Sequence, residues 1–302
     1  MPEQVIAVVG PTAAGKSDLA LRLALAAGGE VVNADSMQLY AGMDIGTAKL
    51  TVAQRRGVPH HLLDIWDVRQ EASVAEYQRL AREAIAAVQR RGKVPVLAGG
   101  SGLYVRAALD PLEFPGTDPR VRARLEAELA GQGPAVLHAR LTGLDPAAAA
   151  AILPSNGRRI VRALEVIEVS GRPFTAALPG YASLYPVTCL GLSVDRAELD
   201  ARIAERTGQM FAAGLVEEVK ALDRAGLREG RTASRALGYA QVLRFLAGEC
   251  TQAEAHAQTV LATRRFVRRQ ESWFRRDPRV TWLPAGAADA GALLERALAL
   301  LS

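Results

Sequence analysis

The chain is poor in the residues that build disulfide frameworks and metal sites. Cys189 and Cys250 are the two cysteines in 302 residues, and neither has a CxxC or HxH partner, so neither a disulfide scaffold nor a zinc site is indicated. Both are expected to be small buried hydrophobes. Histidine adds nothing: His60 and His61 are adjacent, which keeps them from facing one metal on a helix or strand, and His138 and His256 have no partner at ligand spacing. All four are read as non-catalytic. No run approaches the ~20 apolar residues of a membrane-spanning helix. The N-terminus shows no series of charged segment, apolar stretch and cleavage site. A cytoplasmic protein with no membrane partner is expected, and a monomer. No repeat of 20 to 50 residues is present, and the alanine run 147–151 is low-complexity only locally.

Lysine is scarce too, four of 37 basic residues, which leaves 33 arginines. Guanidinium groups suit bidentate phosphate contacts. The net charge of +5 is concentrated rather than spread. Between Leu261 and Val280, Arg264, Arg265, Arg268, Arg269, Arg275, Arg276 and Arg279 face only Glu271 and Asp277, an excess equal to that of the whole chain. A basic run is commonly a solvated helix face. Here Phe266, Trp273 and Phe274 interleave with it, and aromatic and guanidinium planes both stack on bases, which points toward nucleic acid.

The strongest local signal lies near the N-terminus. Gly10-Pro11-Thr12-Ala13-Ala14-Gly15-Lys16-Ser17 follows the apolar run Val5 to Val9 and precedes a helical pattern. It matches GxxxxGK(S/T) in the strand-loop-helix setting that its mechanism requires. Glycines let successive N–H groups converge on phosphate oxygens, and the following helix adds its positive dipole end. Lys16 would reach terminal phosphate oxygens, and Ser17 would place a hydroxyl on a magnesium ion. The loop grips a diphosphate or triphosphate without saying what becomes of it.

The fold class expected is α/β, a P-loop NTPase-like parallel sheet core with a helical insertion domain. Strands are expected at Val5 to Val9, Glu30 to Ala34, Val94 to Ala98, Val187 to Val194 and Val280 to Leu283. Helices are expected at Val74 to Arg91, from about Ala197 to Ala225 as one long amphipathic element, and at the C-terminal end. Between these, Arg120 to Ala130, Ala135 to Leu141, Pro146 to Leu153 and Asn156 to Ser170 read as short helices with no strand among them. The division is 1–113 and 187–302 for the core with its basic C-terminal segment, and 114–186 for the insertion.

Asp35 follows the second strand directly, where the carboxyl ends of parallel strands converge on a ligand crevice. It would lie near the phosphate loop if the second strand neighbours the first. Magnesium ligation, proton abstraction and a helix cap all fit such an aspartate. Arg202 and Arg206 lie four apart, on one face of the 197–225 helix, with Leu199, Ile203, Phe211, Leu215 and Val219 on its apolar side.

In order along the chain stand GPTAAGKS, NADSMQLYAGMDIGTAK (33 to 49), PHHLLDI, AGGSGLY (98 to 104), NGRRIVRALEV (156 to 166), GLVEEV (214 to 219), RALGYAQ (235 to 241) and TRRFVRRQESWFRR (263 to 276). This set, spread over nearly the whole chain, closely resembles the bacterial tRNA dimethylallyltransferase family. The resemblance implies transfer of a dimethylallyl group from dimethylallyl diphosphate to the N6 amine of the adenosine 3′-adjacent to the anticodon, with tRNA as partner and Mg2+ as cofactor. It assigns the loop Gly10, Pro11, Thr12, Ala13, Ala14, Gly15, Lys16 and Ser17 to the donor's diphosphate, with Thr12 and Lys16 on oxygens and Ser17 near the metal. One of Arg202 and Arg206 joins them, the choice being open.

By the same resemblance Asp35 is the general base on the adenine amine. Ser101, where relatives commonly carry threonine, keeps a hydroxyl near the base or the diphosphate; the alternative is a turn residue between glycines. Asp35, Ser36, Met37 and Gln38 would line the adenine's entrance, with Met37 open to a packing role and Tyr40 read as one. The anticodon stem-loop would meet Arg122, the segment Arg159, Ile160, Val161, Arg162 and Ala163, and Arg265 and Arg269. Two other classes share the loop. A small-molecule kinase would end a strand in an aspartate for magnesium, where Val94 to Ala98 ends in glycines. An adenylate isopentenyltransferase would need neither the insertion nor the basic run. An RNA-binding module would leave Lys16, Ser17 and Asp35 unexplained.

Overall fold

A computed structural model describes residues 4–174, 180–286 and 290–301. Val5–Val9 (β1) is buried at all five positions, as a strand covered on both faces requires. The first unit continues with Lys16–Ala27 (α1), Glu30–Asn33 (β2), His60–His61 (β3), Val74–Arg90 (α2), Pro95–Gly99 (β4) and Gly102–Leu109 (α3). An excursion carries Pro119–Gln132 (α4), Pro134–Leu144 (α5), Pro146–Ala151 (α6) and Gly157–Ser170 (α7). The chain then returns through Val187–Ser193 (β5), Arg196–Ala212 (α8), Leu215–Arg224 (α9), Tyr239–Leu246 (α10), Gln252–Phe274 (α11), Val280–Pro284 (β6) and Ala290–Ala299 (α12). Among the described residues no helix is long and apolar enough to cross a membrane.

The six strands form one parallel sheet in the order β3-β2-β4-β1-β5-β6, a P-loop NTPase-like arrangement. Leu19 and Leu23 of α1, Leu190 and Leu192 of β5, Leu283 of β6 and Ala297 of α12 share one apolar cluster, which covers the sheet with helices. The condition set for Asp35 fails: β2 does not neighbour β1, because β4 lies between them. The carboxyl ends of β1, β4 and β2 therefore stand in a row, and the turn after β4 separates the phosphate loop from Asp35.

Two elements depart from the sequence reading. The expected long helix from 197 to 225 is broken into α8 and α9, because Gly214 takes φ 99°, a left-handed conformation that ends one helix and starts another. The two-residue β3 is too short to carry an alternating pattern, yet it extends the sheet beyond β2. Cys189 is buried, and burial pushes its thiol up to about 12; Cys250 is only half-buried, against expectation.

Leu112–Gly180 forms the second compact unit, and residues 181–186, expected within the insertion, belong to the α/β unit. There Leu184 donates its N–H to the Leu109 carbonyl at 2.8 Å, and Arg106 lies 4.4 Å over the Tyr181 ring. Residues 175–179, inside the expected insertion, lie outside the described residues. Within the helical unit, Pro119, Pro134 and Pro146 open their helices, while Asp118, Asp145 and Asn156 cap N-termini with side-chain oxygens. Leu125, Leu137, Leu141, Ile160 and Leu164 make its core.

Glu165 is buried in this unit and gathers charge around itself. Its Oε2 accepts from Arg122 and Arg162, each at 2.8 Å, and its Oε1 takes the Asp118 N–H at 3.1 Å. Burial would raise its pKa, and the two arginine hydrogen bonds outweigh it, so the carboxyl titrates below its ordinary value. A depressed folded pKa contributes stability that is present above the unfolded value and lost as pH falls through the folded one. Glu165→Ala should cost about 3 kcal/mol near neutral pH, because it removes the buried carboxylate that both arginines pair with. In urea unfolding followed by helical circular dichroism, the gap from the parent should narrow as acid protonates Glu165.

Candidate active site at the carboxyl edge of the sheet

The loop after β1 is held open by its own backbone. Gly10 has φ 134°, and a Cβ there would stand 2.9 Å from the Leu192 carbonyl oxygen of β5. Ala13 (φ 67°) and Gly15 (φ 95°) also take positive φ, so the chain curls and turns successive N–H groups inward. Pro11 and Ala14 are buried, whereas Gly15 and Ser17 are exposed at the start of α1. The Lys16 ammonium folds back to donate to the Pro11 carbonyl at 2.7 Å.

Asp35 is placed by Asn33, the last residue of β2. The Asn33 side chain accepts the Asp35 N–H at 2.9 Å and donates to the carbonyls of Asp35 and Leu62 at 3.0 Å each. Tyr77 donates its hydroxyl to the Asn33 carbonyl, fixing the strand end to α2. Asp35 Oδ1 accepts the Met37 N–H at 3.0 Å, while its Oδ2 accepts nothing from the described residues. No helix follows, so the capping reading of Asp35 does not hold. Across the turn after β4, Ser101 Oγ lies 3.2 Å from Ser36 Oγ and accepts the Ser36 N–H at 3.3 Å. Its hydroxyl thus faces the Asp35 turn and makes no cap hydrogen bond to α3.

Charge joins these pieces. Burial pulls Lys16 down to about 8; the charge of Asp35 opposes that fall, and the charge of Arg206 adds to it. Burial likewise lowers Arg206, again with Asp35 opposing. Arg206 Nε is buried with no hydrogen-bond partner among the described residues. An unpartnered buried guanidinium N–H beside a phosphate loop fits a ligand anion. Arg202, four residues earlier, is occupied: it donates to Glu198 Oε1 at 2.5 Å and to the Ala285 carbonyl at 3.2 Å. Of the two arginines, only Arg206 shares the field of Lys16 and Asp35.

The segment from Ser36 to Lys49 is secured from two sides. Glu218 of α9 accepts the N–H groups of Asp44, Ile45 and Gly46 at 3.1, 2.7 and 3.2 Å, and Tyr239 donates its hydroxyl to the same carboxylate at 2.6 Å. Buried Lys49 donates to the Tyr40 carbonyl and to Asp44 and Asp64. Within this frame the Gln38 amide donates to the Thr47 carbonyl at 3.1 Å, and Met37 is half-buried. Tyr40 is wholly buried edge-on to Trp66, a packing residue as expected. His61 pairs with Glu30 at 2.6 Å, and the His138 ring meets backbone carbonyls.

Several expected nucleic-acid contacts need correction. The side chains of Ile160, Val161 and Ala163 are buried in the helical unit, because the i, i+3, i+4 face of α7 points inward, so they offer no surface. Arg122 and Arg162 are engaged by Glu165, whereas Arg158 and Arg159 are exposed. On α11, Arg265, Arg268 and Arg269 are exposed, with Arg269 5.7 Å from the Phe266 ring centroid. Arg279 is instead bound to Asp110 and Asp277. Phe274 is core and not presented for base stacking, while the half-buried Trp273 indole packs over Gly102. Asn33, Glu218, Tyr239 and Gln270 went unnoticed in the sequence. Gln270 accepts the Thr12 N–H and donates to the Gly100 carbonyl. All four lie inside quoted motifs, but a motif does not say which of its residues make long-range hydrogen bonds, and a glutamine within an arginine run carries no signal of its own.

The model of the family described as IPP transferase matches residues 38–277. The chain is 68% identical to a tRNA dimethylallyltransferase of Thermobifida fusca, covering 98% of this chain and 94% of the relative. It is 69% identical to one of Streptomyces coelicolor, over 99% and 96%. The solved full-length tRNA isopentenylpyrophosphate transferase of Bacillus halodurans is similar with a TM-score of 0.74 at 40% identity, over 99% of this chain and 95% of that one.

The Lys16 geometry generates a pH signature. A diphosphate taken up here would bind the charged ammonium, so affinity should be flat below about pH 8 and fall about tenfold per unit above it. Lys16→Arg keeps its charge throughout this range. Calorimetry with inorganic pyrophosphate should show the parent-to-variant affinity ratio constant below that pH and declining above it, the ligand's own titration cancelling. A ratio that stays flat into the alkaline range contradicts the assignment.

Proposed function

Because the chain belongs to the IPP transferase family, we propose that it transfers a dimethylallyl group from dimethylallyl diphosphate to the exocyclic N6 amine of the adenosine 3′-adjacent to the anticodon of tRNA, releasing pyrophosphate. The observation that carries the reading is the meeting of Lys16, Asp35 and Ser101, which follow neighbouring strand ends, with Arg206 of α8. Cations that stabilise a leaving group stand beside a carboxylate that can take a proton.

The loop from Gly10 to Ser17 holds the donor's diphosphate, with the Thr12 hydroxyl, Lys16 and Arg206 on its oxygens. As the allylic carbon–oxygen bond breaks, negative charge collects on the departing pyrophosphate, and each fixed donor aimed there is worth ~3 kcal/mol. The amine of adenine is a poor nucleophile because its lone pair is delocalised into the ring. Asp35 Oδ2 accepts its proton during attack, a contribution of roughly 100-fold to 10,000-fold. The proton leaves nitrogen as the carbon–nitrogen bond forms, and the electron pair of the broken bond leaves with pyrophosphate. Ser101 and Ser36 orient the base at the entrance, which Met37 and Gln38 border.

The residues present fit a magnesium ion carried mainly by the diphosphate and water. Exposed Ser17 offers a hydroxyl beside Lys16, whereas the neighbouring Asp18 carboxylate is taken by Arg22 at 2.8 Å. Among the described residues no group of three or more histidine, cysteine, aspartate or glutamate side chains could hold a metal. Such an ion would screen the diphosphate charge.

The acceptor base has to leave the loop's stack to reach Asp35, at a cost of a few kcal/mol. Exposed Arg265, Arg268 and Arg269, and Arg158 and Arg159 of the helical unit, supply phosphate contacts whose strength falls with salt. Cytoplasmic location and a single-chain active site complete the reading.

Purified protein mixed with labelled dimethylallyl diphosphate, magnesium and either tRNA, AMP or no acceptor should place label in tRNA alone. Label in AMP alone, or phosphate transfer from ATP, sinks the reading. Asp35→Ala should lower turnover by roughly 100-fold or more while tRNA affinity is retained; a collapse of tRNA binding would remove the case for a general base.

A further inference from the structure

Gln270 occupies a core-facing position of α11, in the row Thr263, Val267, Gln270, Phe274, where its neighbours are all buried. It is itself 4% exposed. An apolar side chain would fill the place without the cost of desolvating an amide. Instead both ends of the amide are used. Oε1 accepts the Thr12 N–H at 2.9 Å, and Nε2 donates to the Gly100 carbonyl at 2.9 Å. These partners lie 258 and 170 residues away, in the phosphate loop and in the turn that presents Ser101. Gly100 has no room for more: a Cβ there would stand 2.3 Å from Gln270 Nε2.

We propose that Gln270 is a positioning residue for the transfer, setting the phosphate loop in register with the Ser101 turn and with the arginine-bearing helix. By taking the Thr12 N–H, Gln270 fixes the backbone at the loop's entry and leaves the Thr12 hydroxyl as that residue's contact to the diphosphate. By donating to Gly100, it fixes the turn whose next residue faces Asp35. The helix that carries it exposes Arg265, Arg268 and Arg269 on other faces, so the surface offered to RNA and the loop offered to the donor are braced by one side chain. The inference rests on the diphosphate-donor reading and assigns to that site a residue outside the phosphate-loop motif.

The two hydrogen bonds are reached from opposite sides by two substitutions. Gln270→Met keeps the volume and removes both bonds. Gly100→Ala leaves α11 untouched and pushes the amide away from the turn. Calorimetry with inorganic pyrophosphate and magnesium, on the full chain, should show each variant weakened about tenfold or more, the cost of leaving a buried donor or acceptor unpaired. The double variant should be no more than about threefold weaker than the weaker single variant, since both break one linkage. Affinity for tRNA should stay within about twofold of the parent, because the exposed arginines that supply it are unchanged.

Unchanged pyrophosphate affinity in either folded variant overturns the proposal. So does an equal loss of pyrophosphate and tRNA affinity, which would make Gln270 an ordinary core residue. If Gln270→Met does not fold, Gly100→Ala decides alone by the same criteria. Pyrophosphate binding is read without transfer, so absence of dimethylallyl transfer to tRNA would count against the donor reading and leave this measurement standing.

Discussion

Lys16 and Arg206 are two cations drawn out of water into each other's field, with Asp35 the carboxylate that both of them feel. Burial works against both charges, and the charge of Arg206 adds to the fall of Lys16 to about 8. Asp35 offsets the strain only in part, so the pocket remains short of negative charge. On the proposed reading a diphosphate supplies it. In the proposed reaction the same carboxylate, on a backbone held by Asn33, with Oδ1 on the Met37 N–H and Oδ2 uncommitted among the described residues, stands where a proton must be removed. The proposed function thereby couples leaving-group stabilisation and proton removal through one electrostatic balance.

That balance depends on positions set from far along the chain. The sheet order puts the turn after β4 between the phosphate loop and Asp35, so Ser101 reaches Ser36 from one side while Gly100 is bonded to Gln270. Glu218 and Tyr239 secure Asp44 to Gly46, and Lys49 ties the same segment to Asp64. Sequence blocks that look independent in one dimension are halves of single hydrogen-bonded joints. The GMDIGTAK block is one such half, joined to Glu218 and Tyr239. Gly46 lies against the Tyr239 ring, and its N–H has a carboxylate waiting for it.

The phosphate loop was legible because its chemistry is local: eight consecutive residues between an apolar run and a helix carry the whole signal. The α/β alternation was legible for the same reason, apart from the two-residue β3 and the break at Gly214. Asp35 was visible as a residue after a strand, but its distance from the loop depended on strand order, which no local pattern encodes. Arg202 and Arg206 look alike on one helix face, and only tertiary structure tells them apart: Glu198 and Ala285 occupy the first, while the charge of the second acts on Lys16. The resemblance implied that the whole segment from Arg159 to Ala163 meets the stem-loop, but resemblance carries no burial, and the packing of the helix buries the side chains of Ile160, Val161 and Ala163. Gln270 was hidden by its neighbours, since a run of arginines draws attention to charge and away from the one buried amide.

The most direct test of the shared electrostatic balance is the pyrophosphate affinity of Asp35→Asn, measured by calorimetry at pH 6.5 beside single-turnover transfer to tRNA. Removing the carboxylate's charge should tighten pyrophosphate binding, because an anion no longer meets repulsion, while transfer is lost with the base. Pyrophosphate binding that weakens in step with transfer would contradict the account, since Asp35 would then be part of the diphosphate's support and not its counterweight.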